Sequence, residues 1–138
     1  MIDAIVSGFY TKLSGDAALQ TKLGGSASDK KIYNILASQD ASLPYITFGL
    51  ETDRPIGIFG SVNEIEDLTF WVNCFSSTGQ KNCREIADLV LAVMDDASLT
   101  VTGYTAMKCT REFIGSPIYL MDIKVWQIPL RVRVWLSK

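Results

Sequence analysis

The amino-acid sequence predicts an α+β fold in two layers, with helices packed on one face of a mostly antiparallel four-stranded sheet. Two patterns support this prediction. Two separate segments repeat apolar residues at helical spacing, and four segments alternate apolar with polar residues as strands do. The expected order is α-β-β-α-β-β, in which consecutive strands form hairpins. A length of 138 residues favours a single domain that spans 1–138.

Apolar stripes and capping residues predict the helices. The first stripe begins the chain, and its members are Ile2, Ile5, Val6, Phe9, Tyr10 and Leu13. Gly15 interrupts this helix, and Asp16 is the expected N-cap of a short second piece that Gly24 ends. Ser77 or Thr78 is expected to cap the long helix. The stripe of the long helix consists of Cys83, Ile86, Ala87, Val90, Leu91 and Met94.

Alternating residues predict the strands. The segment "KIYNIL" is weakly extended, and "PYITFGLET" is the first strand of the sheet. The second strand is "EIEDLTFWVNCFSS", and the stretch "DRPIGIFGSVN" before it is expected to be a loop because Pro55, Gly57 and Gly60 are turn residues. "LTVTGYTAMKCTREF" is the third strand, and "GSP" at 115–117 is expected to turn into the last one. One face of the second strand consists of Leu68, Phe70, Val72 and Cys74, and the other of Thr69, Trp71, Asn73 and Phe75.

The last strand shows a change of parity. Its apolar residues are first the odd-numbered Met121, Ile123 and Val125, and then the even-numbered Leu130, Val132 and Val134. Because side chains alternate between the two faces of a strand, such a change indicates one extra residue. Proline is tolerated in sheets at bulges and edges, and Pro129 lies where the parity changes. The sequence therefore predicts a β-bulge between Trp126 and Pro129.

Two layers leave one face of the sheet without helices, and this face carries aromatic and arginine side chains. Such residues are typical of the core of a protein interface. We therefore expect a subunit interface formed by Tyr45, Trp71, Phe75, Tyr104, Arg131, Arg133 and Trp135. The expected partner is a second copy of the chain, with Glu64, Glu66 and Asp67 opposite the arginines. The alternative is that the aromatic residues are isolated exposed side chains, which need no partner.

Composition and charge exclude several classes of function. The chain has 13 Lys and Arg against 15 Asp and Glu, a net charge of −2, so no basic excess supports nucleic-acid binding. Histidine is absent, which excludes Ser-His-Asp and Cys-His catalysis and histidine-ligated metals. The three widely spaced cysteines are expected to be reduced, apolar core residues. We expect no cofactor, no metal site and no membrane span.

The order of the segments resembles a known family. "DAALQTKLGG" is followed by "KIYNIL", "LPYITFGLET", "LTFWVNCFSSTGQKNCREIADLVLAVMDD" and "LTVTGYTAMKCTREF". In sequence and spacing together, these segments are similar to the tail completion, or tail terminator, proteins of long-tailed bacteriophages, a group that includes tail-to-head joining proteins. The similar order covers about residues 16–136, although "SASDKK" and "RPIGIFG" are less typical of the family.

The resemblance implies a structural virion protein that is not an enzyme and has no cofactor. Six copies would form a ring at the head-proximal end of the tail tube, after assembly in the host cytoplasm. The ring would stop polymerisation of the tube, bind the tube protein, and offer a surface to a head connector, adaptor or stopper protein. DNA would pass through its lumen without sequence-specific binding, which a mildly acidic subunit suits.

Two apolar segments are expected to reach such axial partners. The "RPIGIFG" loop and the "TREFIGSPIY" hairpin tip are expected to project beyond the sheet. Their expected contact residues are Ile56, Ile58, Phe59, Phe113 and Ile114. The alternative is that each of these side chains folds back over the core of its own chain.

Two other functions remain open at this point. A small cytosolic α+β dimer would bind a ligand between its helices and its sheet. A carboxylate-dependent metal hydrolase would need Asp95, Asp96 and the acidic residues of 64–67 to converge on a metal ion. Asp95 and Asp96 follow a helix C-terminus, where the helix dipole disfavours anions, so a turn is the simpler interpretation.

Overall fold

The computed structural model describes residues 2–26, 29–37, 41–58, 61–95, 101 and 103–137. In these ranges it confirms an α+β fold, with three helices and a six-stranded sheet. The elements are α1 (Ile2–Ser14), α2 (Ala17–Leu23), β1 (Ile32–Asn34), β2 (Tyr45–Ile58), β3 (Ser61–Ser76), α3 (Gln80–Met94), β4 (Thr105–Ile114), β5 (Ile118–Leu120) and β6 (Val125–Ser137). The expected four strands and their order are wrong, because the chain adds the three-residue strands β1 and β5 at the two edges of the sheet.

The first two helices begin and end as their residues predict. Asp16 caps α2 by accepting a hydrogen bond from the backbone N–H of Leu19 at 2.9 Å. Gly24 ends α2 in the left-handed conformation, at φ 73°, which glycine adopts without a steric cost. The two helices together place Ile5, Phe9, Leu13, Leu19 and Leu23 in the core.

The start of α3 differs from the prediction. Gly79 is its N-cap, and neither Ser77 nor Thr78 caps it. The buried hydroxyl of the preceding Ser76 donates instead to Asn82 Oδ1 at 2.7 Å, which ties the first turn of α3 to the end of β3. The predicted apolar stripe of α3 is confirmed, with all of its members buried except the partly buried Leu91.

The sheet has the order β1-β2-β3-β6-β4, and β5 also pairs with β6. Every pair is antiparallel except β1 with β2, which is parallel. The stretch predicted as a loop instead continues both long strands, so that Pro55 pairs with Glu66. Proline is tolerated there because β1 covers only the Ile46–Phe48 part of β2, which leaves β2 an edge strand at Pro55.

The predicted bulge in the last strand is wrong. β6 pairs with β3 in one unbroken register from Trp126 to Ser137, and its even-numbered residues face the core from end to end. Met121 and Ile123 do not lie in this strand, because residues 121–124 form the turn between β5 and β6. The parity change therefore marks a turn and not a bulge. The turn expected at "GSP" is absent, because β4 before residues 115–117 and β5 after them run along β6 in the same direction.

A hydrophobic core fills the space between the helices and the sheet. Phe9 of α1 stacks on Phe70 of β3, with ring centroids 4.1 Å apart, and lies 5.3 Å from the ring of Phe48. Cys74, Cys83 and Cys109 are free and buried in this core or beside it, which confirms them as small apolar residues. In the described ranges, none of the helices has both the length and the apolar character that crossing a bilayer requires.

Candidate interaction surfaces

The helices pack on one side of the sheet, and we call the opposite side the open face. Strand parity assigns its residues, because cross-strand neighbours in the register share a side. Six of the seven residues expected at a subunit interface lie on it. The principal side chains of the open face are Tyr45, Asp67, Trp71, Phe75, Lys108, Thr110, Phe113, Arg131, Arg133 and Trp135.

Tyr104 is the residue that does not lie on the open face. It precedes β4 and packs against the hydrophobic core. Desolvation raises the pKa of its phenol, and the carboxylates of Glu66 and Asp53 raise it further. In the strand register Asp53 lies opposite Leu68 and Glu66 lies opposite Leu136, and both leucines are buried on the helix side of the sheet. The Tyr104 side chain therefore lies on the helix side as well. The sequence-based expectation for Tyr104 is therefore wrong. The third strand begins at Thr105, six residues after the expected start at Leu99, and a register shift between Ala106 and Lys108 reverses which side of the sheet the even-numbered residues face.

An aspartate organises the charges of the open face. The Asp67 side chain is 7% exposed and accepts two hydrogen bonds from Arg133, Nε to Oδ1 at 2.8 Å and Nη2 to Oδ2 at 2.7 Å. Arg54 donates to the same carboxylate at 3.3 Å, and the indole Nε1 of Trp135 donates at 3.1 Å. The Arg133 hydrogen bonds hold the pKa of Asp67 below its ordinary value, although desolvation opposes them. Asp67 is thus the acceptor that holds Arg133 and Trp135 side by side.

The second arginine also has a partner on its own chain. Arg131 Nη2 lies 3.0 Å from Glu51 Oε1, and its guanidinium lies 5.7 Å from the centre of the Phe113 ring. The expectation that Glu66 and Asp67 pair with the arginines of a second copy is therefore wrong: Asp67 binds its own arginines, and Glu66 is buried on the helix side. The side chain of Glu64 lies outside the described part of the chain.

The aromatic residues of the open face are ordered by their own packing. An added Cβ at Gly49 would lie 2.5 Å from the Trp71 indole, so the glycine makes room for this ring on the sheet. Tyr45 lies 5.2 Å from Phe75 and 5.9 Å from Tyr33, measured between ring centroids. Trp135 remains 37% exposed and borders an open groove of about 530 Å³ together with Lys108, Thr110 and Arg133.

The edge of the sheet that β1 forms carries a second apolar surface. Tyr10, Ile35 and Leu36 are exposed there, with Leu36 at 79%. A groove of about 510 Å³ runs between α1 and β1, and we call it the α1–β1 groove. Its main lining residues are Val6, Tyr10, Ile32, Tyr33, Leu36 and Phe48.

The opposite edge of the sheet carries a third apolar surface, the β4–β5 edge patch. Its exposed members are Phe113, Ile114, Ile118, Tyr119, Met121 and Ile123. Phe113 and Ile114 were expected to be exposed at a hairpin tip; they are exposed, but in a strand. The side chains of Ile56 and Ile58, and the whole of Phe59, lie outside the described part of the chain.

The sequence reasoning missed most of the β4–β5 edge patch. It assigned Met121 and Ile123 to the core face of a strand, whereas they are 78% and 62% exposed. A signal was present, because no charged residue occurs between Glu112 and Asp122. Such an uncharged edge strand is unusual in a monomer, since exposed edges normally carry charges that prevent pairing.

Asp96 and the side chain of Glu64, which a metal hydrolase would use, lie outside the described part of the chain, and the described acidic residues do not converge. No three His, Cys, Asp or Glu side chains form a group there that would hold a metal ion. Asp95 has a structural role: its Oδ1 accepts a hydrogen bond from the backbone N–H of Arg111 at 3.0 Å and so ties the end of α3 to β4. At the centre of the two layers, the space where a ligand-binding dimer would hold its ligand is filled by Phe9, Phe48 and Phe70.

The described part of the chain thus combines extensive exposed apolar surfaces with an interior that is filled by aromatic side chains. Comparison with known proteins shows to which family the chain belongs. The family model for tail completion protein gp17 matches residues 8–137, so the chain belongs to the tail completion protein gp17 family. Members of this family are structural proteins of the virion and not enzymes, and the chain accordingly has a structural role in a bacteriophage tail.

Solved structures share the fold at low sequence identity. A chain from the virion of a native gene transfer agent particle superposes with a TM-score of 0.79 at 14% identity, over 96% of this chain and 93% of that chain. The bacteriophage SPP1 gp17 protein superposes with a TM-score of 0.58 at 17% identity, over 96% of this chain and 88% of that chain. No significant match to a curated protein sequence is found.

Proposed function

We propose that the chain is a tail terminator, six copies of which form a ring at the head-proximal end of the tail tube. The ring stops polymerisation of the tube protein and presents a surface to the head connector, adaptor or stopper protein. Membership of the tail completion family supports this proposal. The physical argument for a ring comes from the distribution of apolar side chains over the surface.

One observation carries the proposal. Among the described residues, every large apolar side chain classed as exposed lies on the open face, along the α1–β1 groove and its edge, or in the β4–β5 edge patch. A soluble monomer scatters such side chains and leaves few contiguous apolar surfaces. A cyclic ring, by contrast, needs two different contact surfaces on every subunit. We infer that a sister subunit covers open-face residues of its neighbour, with Trp135 and the Tyr45–Phe75 pair as anchors.

The β2–β3 hairpin is our candidate for an axial contact. Pairing between β3 and β6 ends at Ile65 and Ser137, whereas β2 and β3 remain paired as far as Ile58 and Ser61. The end of this hairpin therefore projects beyond the rest of the sheet. Its sequence includes Ile56, Ile58 and Phe59, which suit contact with the tube protein or the connector.

The charge of the subunit suits a lumen through which DNA moves. The net charge is −2, and the open-face arginines are paired with Asp67 and Glu51. A strongly basic wall would bind the phosphates and release counterions, which would hold the DNA in place. We propose that DNA passes without sequence-specific contacts.

Electron microscopy of purified tails tests the function. Tails made with the chain should show a ring of density at the head-proximal end and a uniform length. Tails made without it should lack that density and vary in length, and supplying the chain from a second gene copy should restore both features. Purified tails that contain no copy of the chain, or that carry it only at the distal tip, would contradict the proposal.

A further inference from the structure

We propose that the β4–β5 edge patch of one subunit docks into the α1–β1 groove of a second copy of the same chain. The inference rests on the proposed function, and it names the lateral contact that closes the ring. It assigns Phe113 and Ile114 to a contact between subunits, whereas the sequence alone suggested axial contacts for them. The partner surface, which includes Leu36, was not expected from the sequence.

The register of the sheet places the two surfaces at opposite ends of one row. Ile114 pairs with Leu130, Leu130 with Val72, Val72 with Phe48, and Phe48 with Asn34. Ile35 and Leu36 follow Asn34 directly, and Phe113 precedes Ile114. A second copy related by rotation alone therefore brings the patch of one subunit to the groove of the next without a shift along the strands. Rotation without a shift gives a closed ring when a whole number of subunits completes the turn, whereas a shift would give an open filament.

The two surfaces match in shape and in polarity. The patch belongs to an edge strand and its turn, so it projects, with Met121 at 78% exposure. The groove is concave, and its volume of about 510 Å³ accommodates several branched or aromatic side chains. None of the described residues that line it is charged, and the patch carries no charged residue from Phe113 to Met121, while Asp122 separates Met121 from Ile123. Burial of the stretch from Phe113 to Met121 therefore removes apolar surface from water without placing a charged residue of that stretch in the contact.

The same features favour a second copy over other occupants. Nucleic acid requires cationic side chains, and neither the described lining of the groove nor the stretch from Phe113 to Met121 contains one. An exposed apolar edge strand promotes aggregation unless its partner is present whenever the chain is present. Another copy of the chain satisfies this condition by definition, while a tube or connector protein would cover one edge and leave the opposite edge of the row exposed.

Docking of the edges also brings open-face residues to the junction. Phe113 and Arg131 lie beside the β4–β5 edge, and their guanidinium–ring contact is 5.7 Å long. Tyr33, Tyr45 and Phe75 form a ring cluster beside the β1 edge. The two groups therefore approach each other across the junction, where a sister subunit shields both.

Paired cysteines test the contact directly. The three natural thiols are buried, and burial raises the pKa of Cys83 to about 11 and that of Cys109 to about 12, so they react poorly with maleimides. A variant with both Leu36→Cys and Ile114→Cys thus carries reactive thiols only at the two surfaces. We expect a short bismaleimide to link this variant into a ladder that ends at the ring, both in solution at high concentration and in purified tails.

Matched controls decide whether the ladder reports this contact. Each single-cysteine variant should give no product beyond a minor dimer, because a head-to-tail contact never brings two identical positions together. A double variant that keeps one of the two cysteines and carries Gln80→Cys instead of the other should give no ladder. Gln80 is exposed at the start of α3. Tails that carry the ring but give no ladder would overturn the inference and leave the proposed function intact. Tails without any ring would overturn the proposed function.

Mixing two damaged subunits provides an independent test. Leu36→Lys blocks the groove and Ile114→Lys blocks the patch, and both side chains are exposed, so the fold tolerates the change. Either variant alone should stay monomeric in native mass spectrometry. An equimolar mixture should give dimers and nothing larger, since only one intact patch then meets one intact groove. Assembly of either single variant into rings would contradict the proposed contact.

Discussion

The two faces of the sheet are made by the same strands and have opposite physical properties. On the helix side, Phe70 and Val132 are fully buried among apolar neighbours. On the open face, the adjacent residues Trp71 and Arg133 are partly exposed, and the charges are paired within the chain. The comparison teaches that residues one position apart can have different roles: the helix side forms the core that stabilises the subunit, and the open face is the side for which we propose contacts between subunits.

The largest expected effect comes from damage to the helix side. Phe70→Ala should lower the free energy of unfolding by about 3–5 kcal/mol, because it removes a buried ring stacked on Phe9 and leaves a cavity. Its neighbour on the open face provides the matched control, since Thr69→Ala should change stability by less than about 0.5 kcal/mol. Urea denaturation followed by circular dichroism measures both. Equal losses for the two variants would contradict the division between the faces.

Asp67→Asn is expected to have the next largest effect, of roughly 2 kcal/mol, because it weakens four hydrogen bonds to one buried carboxylate. The pKa of Asp67 is lowered in the folded chain, so its contribution is complete above the ordinary pKa of 3.8 and is lost as the pH falls through the lowered value. The variant should therefore lose less stability than the wild type on acidification. Glu51→Gln, at a more exposed ion pair, is the control and should cost less than about 1 kcal/mol. An unchanged acid transition in the Asp67 variant would refute this role.

Gly49→Ala probes the packing of the open face itself. The new methyl group would lie 2.5 Å from the Trp71 ring, so the indole must move, at a cost of about 1–2 kcal/mol. We expect a blue or red shift of tryptophan fluorescence together with the lower melting temperature. Ser77→Ala, an exposed change after the end of β3, serves as the control and should alter neither quantity. A Gly49 variant with wild-type fluorescence would show that Trp71 does not rest on this glycine.

The smallest expected effect on folding accompanies a large effect on assembly. Trp135→Ala removes an exposed ring that contacts Arg133 and Asp67, so it should cost only about 1 kcal/mol of stability. An interface tryptophan contributes about 2 kcal/mol to association, which is roughly a thirty-fold change in the Kd between subunits. Thr110→Ala, in the same groove, is the matched control. Native mass spectrometry at a series of concentrations measures the Kd. An unchanged Kd for the Trp135 variant would contradict a role of the open face in the subunit interface.

Local periodicity was sufficient to predict the core and most of the open face. The apolar stripe of α3, the Asp16 cap and the two faces of β3 depend on residues close together in the sequence, and they are confirmed. Of the predicted α1 stripe, Ile5, Phe9 and Leu13 are buried, whereas Tyr10 is exposed, and the side chain of Ile2 lies outside the described part of the chain. Parity alone placed Trp71, Arg131 and Trp135 together on one side of the sheet.

Long-range pairing decided the features that periodicity missed. The hydrogen-bond partners of Asp67 depend on the register between β3 and β6, which brings Arg133 to 2.7 Å from its carboxylate. This register cannot be read from the spacing of residues in the sequence. Met121 and Ile123 continue an alternating pattern, yet the chain turns there because β5 and β6 pair across them. The α1–β1 groove likewise exists only after a helix and a strand far apart in sequence have packed together.

Hydroxyl-radical footprinting, read residue by residue in the free subunit and in purified tails, tests most directly whether sister subunits cover these surfaces. Trp135 on the open face, Met121 in the β4–β5 edge patch and Leu36 at the α1–β1 groove are exposed in the subunit. We expect their labelling to fall several-fold in tails, while that of Leu89 on α3 stays the same. Labelling of Trp135, Met121 and Leu36 that is as strong in tails as in the free subunit would contradict the assembly role of all three surfaces.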